Sequence, residues 1–101
     1  MEHLIGETLT DEFGNPIGTV TDVFFADRTL EPEMVTVRTR RLFSRDHVVP
    51  VVGAEHEGDC LLVPFSRDQV LSAPVCKDHT LPTADRRAVY EHYHLAEPRA
   101  A

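Results

Sequence analysis

The spacing of apolar residues changes once along the chain. Up to Phe65 they recur at every second position, as in strands; beyond it they recur at three and four, as on helices. Leu4 to Leu9 reads as a short first strand. Asp11 to Pro16 is turn chemistry, with Gly14 and Asn15 tolerant of positive φ. Ile17 to Phe25 is the longest strand signal. Ile17, Thr19, Thr21, Val23 and Phe25 share one face; Gly18, Val20, Asp22 and Phe24 share the other. Apolar residues on both faces predict a curved strand, buried inside and half covered outside. A turn from Asp27 to Pro32 leads into Met34 to Thr39. There Val35, Val37 and Thr39 alternate with Met34, Thr36 and Arg38.

His47 to Val52 and Cys60 to Phe65 are the next two predicted strands, each with a Val-Pro step. Proline cannot donate to a ladder, so these strands belong at edges, ends or bulges. Glu57-Gly58-Asp59 is the expected turn between them. Such strands suit a short, strongly bent barrel better than a flat sheet. Its expected core is Val20, Val23, Val35, Val37, Val49, Val51, Leu61 and Val63.

Two short helices should follow. Ser66-Arg67-Asp68-Gln69 has the form of a capping box, and Pro74 ends the helix that it starts, with Val70 and Ala73 turned inward. Thr83 is the expected N-cap of the second helix, with Asp85 in its first turn. Val89, Tyr90 and Tyr93 form its packing stripe. The predicted class is therefore mainly β, five or six strands in a small barrel with short C-terminal helices.

With 101 residues, 42% of them hydrophobic and 27% charged, the chain is one ordinary globular domain. The domain is expected to span 1–101, with its core at 4–95 and a frayed tail at 96–101. A nucleotide-binding domain beside a substrate domain would not fit. No run of 18 apolar residues occurs, and Met1 to Gly6 lacks the pattern of a signal peptide, so the expected compartment is the cytoplasm. There Cys60 and Cys76 would be free thiols.

Charge adds a second layer. Ten Lys and Arg against 17 Asp and Glu give −7, which opposes binding to nucleic acid by bulk attraction. Yet Arg38, Arg40, Arg41 and Arg45 fall in one span with no acid between them, and Leu42-Phe43 is embedded there. The rest of the chain then carries 6 basic and 17 acidic side chains, or −11. Two readings follow. The arginines pair with acids of their own molecule, such as Glu31, Glu33 or Asp46, or of a dimer mate, or they form a docking patch for an acidic or phosphate-bearing partner. The candidate partner-binding residues are Arg38, Arg40, Arg41, Leu42, Phe43 and Arg45.

No pattern for catalysis, a cofactor or a metal stands out. Among six histidines only Cys76-x-x-His79 has ligand spacing; His92 and His94 project too far apart to share an ion. These histidines read as surface residues. Ser44, Ser66 and Ser72 lack a nucleophile context, and Cys60 lies in an apolar strand. The glycines form no phosphate loop. Asp22, flanked by Val20 and Phe24 on one face, is expected to hydrogen-bond a neighbouring turn or an arginine.

Four segments, in order, resemble the PRC-barrel domain family. Gly18 to Asp27 is similar to its G-x-V-x-D-hydrophobic-D signature, and His47 to Ala54 to its V-P-x-x-x-A stretch. Val63 to Pro74 resembles its V-P-[FY] strand, short helix and A-P stop. Tyr90-Glu91-His92-Tyr93-His94-Leu95 resembles the Y-x-H-Y-G-L element of actinobacterial members, with His94 where Gly is usual. Arg40, Arg41 and Ser44 likewise replace the usual glycines after the third strand. The resemblance spans residues 4–95. It implies a five- or six-stranded barrel and a role in docking to proteins. The family's barrel occurs in the reaction-centre H subunit, in a ribosome-maturation factor and in archaeal cell-division adaptors. It carries no catalytic residues. The function this implies is a non-catalytic protein–protein interaction module, bacterial and homodimeric, with an unidentified protein partner. The alternative is a ribosome- or RNA-associated factor that uses the Arg38–Arg45 loop.

Overall fold

The computed structural model describes residues 4–27, 29–39, 45–77 and 79–96. Six strands come first: β1 (Thr8–Thr10), β2 (Pro16–Phe25), β3 (Pro32–Arg38), β4 (His47–Pro50), β5 (Glu55–Glu57) and β6 (Cys60–Leu62). Two helices follow, α1 (Arg67–Leu71) and α2 (Thr83–His92). The strands form one mixed sheet in the order β4-β3-β2-β1-β6-β5. Every pairing is antiparallel except β1 with β6. The chain is thus mostly β with two short C-terminal helices, but the described ladder does not close into a barrel.

The first strand is shorter than its hydrophobic pattern predicts. Leu4 to Glu7 forms a turn, with Glu7 N–H donating to the Leu4 carbonyl at 3.0 Å and Gly6 at φ +93°. Strand β2 also departs from strict alternation. Its register with β1 shifts at Ile17 and its register with β3 shifts at Thr21. Each extra residue reverses the side-chain alternation. Ile17 and Val20, assigned to opposite faces by period two, are consequently both buried, and Val23 is only half-buried. Gly18 lets the sheet bend here: a Cβ would lie 2.5 Å from the Arg38 carbonyl oxygen of β3.

Met34, Val35, Thr36 and Val37 of β3 are all buried, so both faces of this strand are covered. Both helices pack against its neighbour β4. Six of the eight expected core residues are buried: Val20, Val35, Val37, Val49, Leu61 and Val63. Val23 and Val51 pack half-buried against that core. Leu9, Val48, Val70, Val89 and Tyr93 extend it. Each fully buried aliphatic side chain contributes roughly 1.5–3 kcal/mol.

The two Val-Pro strands are not hairpin partners. Strand β4 ends at Pro50, and a turn at Val52-Gly53 leads to β5, which alternation does not reveal. Gly53 has φ +78°, and a Cβ there would lie 3.2 Å from Pro64. The Gly58-Asp59 turn joins β5 to β6, so β4 and β6 have three strands between them. Both prolines still sit where the missing donor predicts, at or just beyond strand ends.

The first helix follows its capping signal. Gln69 N–H donates to Ser66 Oγ at 3.1 Å, and Ser66 N–H donates to Gln69 Oε1 at 3.2 Å. The second has Pro82, not Thr83, at its N-cap, because its first turn bonds back to the Pro82 carbonyl. Tyr93 ties this helix to the sheet: its hydroxyl donates to the Val48 carbonyl at 2.9 Å, and burial pushes the phenol pKa above its usual range. Of the predicted frayed tail, 97–101 lies outside the described residues.

Candidate partner-binding groove

The outer edge of β4 is not bare. Val48 N–H donates to the Pro74 carbonyl at 2.9 Å, and Cys76 N–H to the Asp46 carbonyl at 2.8 Å. An isolated bridge pairs His47 with Val75. The 74–76 segment therefore covers the edge, and a groove of about 450 Å³ opens beside it. Arg38, Arg45, Asp46, Val75, Cys76 and Lys77 line this groove.

One carboxylate organises it. Asp46 accepts from Arg38 Nη2 at 2.9 Å and from Thr21 Oγ1 at 3.1 Å. The Thr21 hydroxyl also lies 2.8 Å from the buried Thr36 hydroxyl. A hydroxyl has one proton, so with Thr21 donating to Asp46, Thr36 donates to Thr21. Thr21 is the residue of β2 left out of its ladder with β3, so that shift in register is what aims it at Asp46. Arg38 thus realises the intramolecular pairing, although its side chain remains 54% exposed. Arg45 and Lys77 form no ion pair among the described residues.

A tight turn secures the covering segment. Thr80 N–H donates to the Lys77 carbonyl at 3.1 Å, and His79 has φ +56°. This orientation brings His79 Nδ1 to 3.1 Å from Asp22 Oδ2. Asp22 Oδ1 accepts from Val23 N–H at 2.9 Å. The half-buried Asp22 carboxylate is therefore bonded to a neighbouring turn, as the strand pattern predicts. Cys76 Sγ donates to the Thr80 carbonyl at 3.0 Å. Burial, helped by the charges of Asp22 and Asp46, pushes the Cys76 thiol pKa up.

Of the candidate residues, the structure brings Arg38 and Arg45 to one groove. Arg40, Arg41, Leu42 and Phe43 lie outside the described residues. Sequence reasoning missed Lys77, Val75 and Cys76, which enter from a segment some thirty residues later and carry no local signal for the site. Of the two residues at ligand spacing, Cys76 bonds the Thr80 carbonyl and His79 bonds Asp22. His92 Nε2 lies 2.7 Å from the Gln69 carbonyl, so it links the helices. Among the described residues, no three His, Cys, Asp or Glu side chains gather as a metal site. Both cysteines are free, and no described helix is long and apolar enough to cross a membrane. Comparison with known proteins finds no matching family model and no matching curated protein.

Proposed function

We propose that this chain is a non-catalytic docking module, similar to the PRC-barrel proteins, that self-associates and holds an acidic protein partner through its arginine-rich edge. The carrying observation is the open groove itself. It presents Arg38, Arg45 and Lys77 against the single carboxylate of Asp46, on a chain whose net charge is −7. Guanidinium groups offer forks of donors that match carboxylates bidentately, and Arg38 keeps donors to spare after meeting Asp46. On this reading Arg40, Arg41, Leu42 and Phe43 extend the contact, the first two with charge and the last two with apolar area. The reading assumes a small barrel, and the register shifts of β2 are compatible with the bending that such an architecture needs.

Affinity capture with the wild-type chain and with Arg40→Glu/Arg41→Glu tests this. The expected result is a protein retained by the wild type and lost by the variant, with the melting temperature unchanged. A lowered melting temperature would make the cluster structural. Equal retention at an equal melting temperature would overturn the reading. Recovery of RNA, released steeply by salt, would favour the ribosome-associated alternative.

A further inference from the structure

The two ends of the sheet carry opposite charge. The groove lies at the β4 end, with three cations and one carboxylate. The β5–β6 hairpin forms the other end, where Glu55, Glu57 and Asp59 are all exposed. From residue 54 to 62 the chain has no Lys or Arg. Period two puts Glu55 and Glu57 on one face of β5, about 7 Å apart. His56 projects from the other face and is bound to the Glu7 carboxylate. The outer edge of β5 pairs with no described strand.

We infer that the occupant of the groove is a second copy of this chain, whose β5–β6 hairpin sets Glu55 and Glu57 against Arg45 and Lys77. The inference rests on the groove being a docking site and names what docks there. The charge arrangement selects this contact over one between like edges. Two β5 edges laid antiparallel would oppose glutamate to glutamate, which is unfavourable. Two β4 edges cannot pair, because 74–76 already occupies that position. Made reciprocally, a groove-to-hairpin contact closes a two-fold dimer; made in one direction only, it is heterologous and produces a ring or an open chain of copies. Each copy carries −7, and this repulsion opposes growth. Added salt weakens the local pairs and screens that repulsion together, so salt dependence does not discriminate.

Charge inversion does. The groove variant is Arg45→Glu/Lys77→Glu, at side chains without ion pairs among the described residues. The hairpin variant is Glu55→Lys/Glu57→Lys, at exposed positions. Thermal melts first establish that both fold. In sedimentation velocity at high micromolar concentration, the wild type should rise above its 11.4 kDa monomer mass. Each variant alone should remain monomeric, since like charges now meet. An equimolar mixture should associate again, because acidic groove meets basic hairpin and basic groove meets acidic hairpin. A mixture that stays monomeric, variants that associate like the wild type, or a monomeric wild type would each overturn the inference. A monomeric wild type that still captures a partner, lost in the groove variant, would leave the docking of an acidic partner standing and remove self-association together with the second copy as occupant.

Discussion

At His94 the backbone has φ +58°, a left-handed conformation that favours glycine. The surrounding bonds show why the chain accepts it. Leu95 N–H donates to the Tyr90 carbonyl at 2.9 Å, and His94 N–H to the Glu91 carbonyl at 3.1 Å. This is the paired closure of a helix C-terminus, with Tyr93 as cap and His94 just beyond it. The position where the family resemblance expects glycine is thus one where glycine suits the backbone. His94→Gly should relieve the strain and stabilise the fold by up to ~1 kcal/mol, the added flexibility of the unfolded chain offsetting part of the gain. Urea denaturation checks this; a lower midpoint at unchanged slope would show that the imidazole contributes more than the strain costs.

Elements were legible where their determinants are local. The Ser66 capping box and the Pro74 stop lie within a few residues of α1, so the pattern located that helix. The long signal at Ile17 to Phe25 located β2 but not its faces, because bulges arise from pairing with β1 and β3, which one strand's pattern does not contain. Strand β5 was missed because Glu55, His56 and Glu57 are all exposed and leave no apolar trace. The candidate site divides in the same way: the arginine cluster is contiguous and visible, whereas Lys77 joins it only through the covering of β4. The β1–β2 turn is local too, and it has a pH signature. Asp11 Oδ1 accepts from Phe13 N–H and Asn15 N–H, both at 2.9 Å. These bonds, that from Asn15 above all, hold its carboxyl pKa below the usual aspartate value. A depressed folded pKa contributes stability that is present above the unfolded value and is lost as pH falls through the folded one. The melting-temperature gap between wild type and Asp11→Ala should therefore be full at pH 6 and shrink below about pH 4. A gap that stays constant down to pH 2 would count against this assignment.

Over the whole molecule the sheet is uneven. Strands β2, β3 and β4 form its long, buried part, where β3 pairs on both sides and the 74–76 segment covers β4. Strands β1, β6 and β5 have three residues each, and β5 pairs only with β6. This half is joined to the rest through the pairing of β1 with β2, itself interrupted at Ile17. Opening β3 requires breaking two ladders and exposing Met34, Val35 and Val37, each fully buried. Opening β5 breaks one short ladder and exposes no buried apolar side chain of its own. Local opening free energies follow buried contacts, so the two strands should differ widely in amide exchange. Amides of Met34 to Val37 should exchange slowest, near the limit set by global unfolding, and those of Glu55 to Glu57 among the fastest in the sheet. NMR-detected hydrogen exchange on dilute protein would measure both. Comparable protection of β5 and β3 would mean that the sheet opens as one unit and that the far edge is held by more than its pairing with β6.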